Sequence, residues 1–137
     1  MIAETYGEVI RMSYRALVAV PGLASAAAAR DAFSRAGFET VAVTNFQDAL
    51  DALRRSCPDL LATAMRLGDF NGVHLTIRAH ALYPDLPVLI LGREDDSRAD
   101  AEGSGATFVA VTGDDIVMTT AAELVHGRRE RGNPSIQ

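Results

Sequence analysis

Residues 58–72 read PDLLATAMRLGDFNG. Pro58 cannot continue a preceding helix. Leu60 to Met65 is an apolar run of the length and kind that a strand buried on both faces requires. The run ends in a loop with two turn signals, Gly68-Asp69 and Asn71-Gly72. A second apolar run, Pro87 to Leu91, follows one helix length later. A strand, a helix and a strand joined in this way pair in parallel through a right-handed crossover.

The pattern repeats outward from this unit. Upstream, Phe38 to Val43 is a strand, and Thr44 with Gln47 has the form of a capping box. The helix that follows carries Phe46, Ala49, Leu50 and Leu53 as its apolar stripe. Before it, Ala16 to Val20 (ALVAV) is a continuous apolar run ended by Pro21-Gly22. Leu23 to Ala36 reads as a helix with Leu23, Ala26, Ala29, Phe33 and Ala36 inward and Gly37 as its C-cap. Downstream, Val73 to Leu82 reads as a helix with Val73, Ile77 and Ala81 inward, and Pro84 and Pro87 flank the turn into Val88 to Leu91. REDDSRADAEGSG (93–105) is polar, so any helix in it is short and weakly held. Ala106 to Val111 is a fifth strand, and Asp114 or Asp115 caps a last helix carrying Val117, Thr120, Ala121, Leu124 and Val125.

Five strands alternating with five helices imply an α/β, doubly wound, five-stranded parallel sheet of order 2-1-3-4-5 with helices on both faces. The expected domain spans 14–126. Residues 1–13 (MIAETYGEVIRMS) place Ile2, Tyr6, Val9 and Ile10 at helical spacing, with Gly7 against it. They read either as an amphipathic N-terminal arm packed on the domain or on a second copy, or as a frayed end. Residues 127–137 read as a basic, disordered tail. Ligand sites in such sheets lie at the carboxyl ends of the strands, here Val20 to Gly22, Ala64 to Gly68, Gly92 to Glu94 and Thr112 to Asp114.

Composition excludes several classes of function. The chain has 137 residues and a net charge of -5, against a nucleic-acid surface, and its basic cluster Arg128, Arg129 and Arg131 reads as a solvated end. No stretch reaches the length of a membrane span and no secretory signal opens the chain, so the expected location is cytoplasmic. Cys57 is the single cysteine and reads as a small hydrophobe. His74 and His80 are six residues apart on one helix and share no face for a metal, and His126 likewise reads as structural. No Ser-His-Asp set, Walker loop or CxxC motif occurs, and Gly103-Ser104-Gly105 is too short for a phosphate-binding fingerprint. No cofactor and no resident metal are expected.

PDLLATAMRLGDFNG followed by ALYPDLPVLIL resembles the middle of a response-regulator receiver domain, the CheY-like, flavodoxin-like three-layer sandwich. GFETVAVTNFQDALDALRR resembles that family's second strand and second helix, and GATFVAV its last strand; the resemblance covers about 15–126. It implies a phosphoryl transfer onto an aspartate at the end of the third strand. That chemistry takes an acidic pair after the first strand for Mg²⁺, a Thr or Ser after the fourth, a Lys after the fifth, and an aromatic on the fifth as state reporter. Carried over one position at a time, the acidic pair falls on Val20 and Pro21, the acceptor on Ala64, the hydroxyl on Gly92, the Lys on Thr112 and the aromatic on Val109. None of these side chains can do the work assigned to it. Asp69 lies five residues past the acceptor position and reads as a turn residue, while Glu94, Asp95 and Asp96 read as helix charges facing water.

The expectation is therefore a degenerate receiver, or pseudo-receiver: a non-catalytic signalling module acting through a protein partner, with no nucleic acid and no membrane. The candidate interaction face holds Asp95 to Glu102 together with Val109, Val111, Ile116, Thr120 and Leu124. A homodimer through it or through the arm is the expected assembly. The alternative is a small-ligand sensor using a pocket lined by Val20, Ala64, Gly92 and Thr112. An enzyme of another doubly wound family is disfavoured, because no nucleophile, base or metal cluster lies at a strand end.

Overall fold

The computed structural model describes residues 14–111 and 114–131, without the side chains of 114–116, 118 and 128–131. The expectations placed on the arm, on Thr112 and on the Ile116 side chain lie outside the described residues. In chain order the elements are β1 (Tyr14–Ala19), α1 (Leu23–Arg35), β2 (Phe38–Val43), α2 (Phe46–Arg55), β3 (Leu60–Ala64), α3 (Gly72–Leu82), β4 (Val88–Gly92), α4 (Arg98–Gly103), β5 (Thr107–Ala110) and α5 (Asp114–Arg131). The five strands form one parallel sheet in the order 2-1-3-4-5. This is the flavodoxin-like arrangement that the alternating pattern implies.

Period-2 alternation divides the core into two layers. Leu17, Ala19, Leu61, Ile90 and Phe108 face α2, α3 and α4, where they meet Leu50, Leu53, Leu75, Ala79 and Ala101. Ala16, Val18, Ala62, Leu89 and Val109 face α1 and α5, where they meet Ala26, Phe33, Val117, Ala121 and Val125. The strands β1, β3, β4 and β5 are therefore apolar on both faces, which is why they read as continuous runs, while the edge strand β2 buries Phe38 and exposes Glu39 and Val41.

Several local expectations are corrected. The cap of α2 is Asn45, not Thr44. The Asn45 side chain accepts the Asp48 N–H at 2.8 Å and donates to the Asp48 carboxylate at 3.0 Å, so the reciprocal pair closes one residue later. Leu23 is 83 % exposed and Ala36 is exposed too, so α1 buries only Ala26 and Phe33 fully. On α3, Ile77 and Ala81 are exposed, Val73 is only half-buried, and the inward residues are Leu75, Thr76 and Ala79. Thr76 hides its hydroxyl by donating to the Gly72 carbonyl one turn back at 2.7 Å, so a polar residue occupies the stripe that apolar spacing alone would assign elsewhere. Finally, α5 runs through Gly127 to Arg131, so 127–131 continue the helix instead of opening a disordered tail. One interior glycine costs a helix only about 1 kcal/mol. Among the described residues, no helix is long and apolar enough to cross a membrane.

Candidate functional site at the strand ends

Parallel pairing brings the carboxyl ends of β1, β3 and β4 together. Ala19 stands level with Thr63, Ala64 with Leu91, and Gly92 with Ala110 on the next strand. The sequence-derived positions Val20, Ala64 and Gly92 therefore lie at one end of the sheet. Val20 is buried in the α1/α5 layer and its N–H donates to the Val43 carbonyl, while Pro21 is exposed. Ala64 is half-buried and packs against both layers. The side chains at Val20, Pro21 and Ala64 carry no oxygen, so they do not fit a Mg²⁺ ion, which takes oxygen ligands. Among the described residues, no group of three His, Cys, Asp or Glu side chains is placed to hold a metal.

The loop after β3 is more ordered than its sequence suggested. A short antiparallel ribbon pairs Arg66 with Asn71 and Leu67 with Phe70. Gly68 and Asp69 form its two-residue turn. Gly68 has φ 65°, and no non-glycine residue among those described has a positive φ, which suits a turn with glycine at its first central position. Asp69 is exposed at the second position. Phe70 stacks on Phe46 with centroids 4.4 Å apart, pinning the ribbon to α2. Asn71 then caps α3 by accepting the His74 N–H at 2.9 Å. Gly72 is required by close approach: a Cβ there would lie 2.6 Å from the Ala64 carbonyl oxygen.

At the end of β4 the packing is tighter still. A Cβ on Gly92 would meet the Phe108 ring at 2.5 and 2.8 Å and the Asp96 carboxylate at 2.9 Å. Phe108 is only 4 % exposed, and the Arg98 guanidinium lies 4.9 Å over its ring. Arg98 also donates to the Phe108 carbonyl at 3.1 Å. The position that would carry a hydroxyl in a receiver is thus filled from both sides by its neighbours.

Asp96 departs from expectation. Glu94 and Asp95 are exposed, but the Asp96 side chain is only 5 % exposed. Its Oδ2 accepts the Arg93 N–H at 2.8 Å and its Oδ1 accepts Arg66 Nη2 at 2.9 Å. The Arg93 N–H and then the Arg66 guanidinium favour the ionised carboxylate and hold its pKa below the ordinary value, against the opposing effect of desolvation. Sequence reasoning missed Asp96, Arg66 and Phe108. Nothing in the run Glu94-Asp95-Asp96 marks one acid as different, because the distinction comes from a bond back to the Arg93 N–H and from a partner thirty residues away.

The remaining candidates have structural surroundings. His80 Nε2 lies 2.8 Å from the Leu86 carbonyl, which can only accept, so this nitrogen carries the proton. His74 sits edge-on to Phe70 and His126 edge-on to Tyr14. Cys57 is half-buried against the α2/α3 core. Of the expected interaction face, Val111 is 52 % exposed and Thr120 and Leu124 are half-buried. Val109 is corrected: at 7 % exposure it belongs to the core, because strand alternation points it into the α1/α5 layer. Among the described residues, two clefts have linings that do not include Val20, Ala64 or Gly92, although Met65, next to Ala64, borders the second. One, of about 140 Å³, lies at the opposite end of β1, among Arg15, Glu39, Val41 and Arg55. The other, of about 410 Å³, runs between α3 and α4.

Comparison with known proteins gives a likeness of fold. No protein-family model matches the chain, and no curated protein matches its sequence. Solved structures do match. A response regulator receiver domain protein from Clostridium thermocellum superposes with a TM-score of 0.80 at 15 % identity, over 85 % of this chain and 97 % of that one. A CheY-like receiver domain protein from Methanospirillum hungatei gives 0.79 at 15 % identity, over 87 % and 98 %. A putative response regulator from Chloroflexus aurantiacus gives 0.75 at 20 % identity, over 83 % and 98 %. The structural neighbours are receiver domains, and the fold of this chain is theirs.

Proposed function

We propose that the chain is a receiver-like signalling module that works through contact with a protein partner, without phosphoryl transfer and without catalysis. The observation that carries this reading is the state of the strand ends taken together. Ala64 supplies no nucleophile where a receiver has its aspartate, Val20 and Pro21 supply no metal ligand, and the space beside Gly92 is occupied by Phe108 and Asp96. Val20, Pro21, Ala64, Gly92 and Thr112 are on this reading the positions of a phosphorylation pocket that no longer operates. Clustered carboxylates repel one another, so their replacement by apolar residues also favours stability.

Output then rests on surface. The face formed by α4, β5 and α5 offers Val111 as an exposed apolar residue, with Thr120 and Leu124 at its half-buried margin. A second copy of the chain docking on this face, or through residues 1–13, is the proposed assembly. The small-ligand alternative needs a pocket among Val20, Ala64, Gly92 and Thr112, and Thr112 lies outside the described residues. The decisive test is incubation of the full chain with acetyl phosphate and Mg²⁺, followed by intact mass. The expected result is an unchanged mass, and an adduct mapping to any aspartate overturns the proposal. Sizing chromatography of the full chain and of a chain lacking residues 1–12 tests the assembly. A concentration-dependent dimer lost on truncation assigns it to the arm, one that survives assigns it to the α4–β5–α5 face, and a monomer at all concentrations removes it.

A further inference from the structure

We infer that Asp96 is an internal latch that ties the loop after β3 to the loop after β4 and so fixes the starts of α3 and α4 relative to one another. The latch is made by side chains and backbone alone. Both Asp96 carboxylate oxygens are engaged, one by the Arg93 N–H within its own loop and the other by Arg66 on the ribbon that follows β3. A surface ion pair contributes little to stability by itself. What matters here is the connection it makes. Arg66 pairs with Asn71 across the ribbon, and Asn71 caps α3. Asp96 precedes Ser97, whose hydroxyl accepts the Asp100 N–H and caps α4. One ion pair therefore joins two caps.

The two helices so joined are the walls of the 410 Å³ cleft, lined by Met65, Asn71, Val73 and Ile77 on one side and Ala99 and Asp100 on the other. Opening the latch frees both walls at once. The absence of a side chain at Gly92 permits the arrangement, because the Asp96 carboxylate lies where a Cβ would crowd it. The latch rests on the proposed reading for its significance: a module that signals without phosphoryl transfer must place these loops by its own contacts.

Hydrogen exchange on the full chain tests the latch, comparing wild type with Asp96→Asn, Arg66→Gln and the double variant. Asp96→Asn keeps the shape of the side chain, and Arg66 is 71 % exposed, so neither change threatens the fold. Each single variant is expected to speed exchange roughly three- to fivefold, the range an exposed ion pair allows, in peptides covering both 65–72 and 93–100. The double variant is expected to add nothing beyond either single, and β1 and β3 to stay unchanged. Variants that loosen only their own loop, or neither loop, overturn the latch. Intact mass after acetyl phosphate keeps this separate from the functional reading, since an adduct would sink that reading and leave the coupled exchange as it is.

Discussion

The carboxyl ends of β3 and β4 are neighbours, with Ala64 level with Leu91, yet they are packed in opposite ways. Ala64 is half-buried, so a longer side chain there can reach toward solvent. Gly92 is buried, and even one added carbon collides with Phe108 and Asp96. The small residue at the end of β3 leaves surface beside it, whereas at the end of β4 the neighbours close over the glycine. Introducing a larger side chain therefore means different things at the two ends. At β3 it is a local change, but at β4 it requires two neighbours to move.

The largest effect expected from this contrast is that of Gly92→Thr. Overpacking a dense core costs typically 1–3 kcal/mol. The upper end, about 3 kcal/mol, applies because the Phe108 ring is held by Arg98 and cannot swing aside freely. At roughly 3 °C per kcal/mol for a domain of this size, thermal denaturation should show a fall of about 10 °C. In a Phe108→Leu background the same substitution should cost clearly less, with a coupling of about 1 kcal/mol in the double-mutant cycle. Additive losses would show that the ring is not the obstacle and that the two strand ends are less different than their packing implies.

A smaller effect is expected for Gly72→Ala, which probes the end of β3 from the loop side. Its Cβ would press on the Ala64 carbonyl at 2.6 Å, and backbone yields less readily than a side chain. The better helix propensity of alanine, about 1 kcal/mol, offsets part of the strain, leaving a net loss of about 1–2 kcal/mol in denaturant unfolding. A neutral or stabilising outcome would mean that the β3 end has slack on this side too.

Asp96 gives the comparison a pH dependence. Its folded pKa is lowered, first by the Arg93 N–H and then by Arg66. A carboxylate with a depressed folded pKa contributes stability that is fully present above its unfolded value, near 3.9, and is lost as pH falls through the folded one. Wild type should therefore lose stability below about pH 4 more steeply than Asp96→Asn. Chemical denaturation across pH 2.5–6 reads the difference, and parallel curves for the two proteins would remove Asp96 as a contributor.

The contrast between the two strand ends also marks how far the sequence could be read. The sheet order was legible because the strands other than the edge strand β2 are apolar on both faces and the spacing between strands is one helix long. Ala64 and Val20 could be placed at the strand ends from the same pattern. The closure of the β4 end could not, since it depends on Phe108 reaching across from β5 and on Asp96 turning inward, and both are tertiary contacts with no local signature. The helix faces show the same limit at smaller scale. Phe46, Ala49, Leu50 and Leu53 follow apolar spacing and were readable, but Thr76 entered the core by bonding its own helix and rotated α3 away from the apolar count.

The smallest expected effect is the one at Ala64. Ala64→Asp puts a carboxylate at the more open of the two strand ends, where solvent can reach it, so its stability cost should stay within about 1 kcal/mol. It should nevertheless gain no phosphoryl adduct with acetyl phosphate and Mg²⁺ by intact mass. A nucleophile alone does not assemble the reaction. Val20 and Pro21 still offer no oxygen to a metal ion, and the β4 end has no room for a group that would hold the transferred phosphoryl. A measurable adduct on Asp at position 64 would show that the β3 end suffices by itself, and that the closure at Gly92 is packing without consequence for the chemistry.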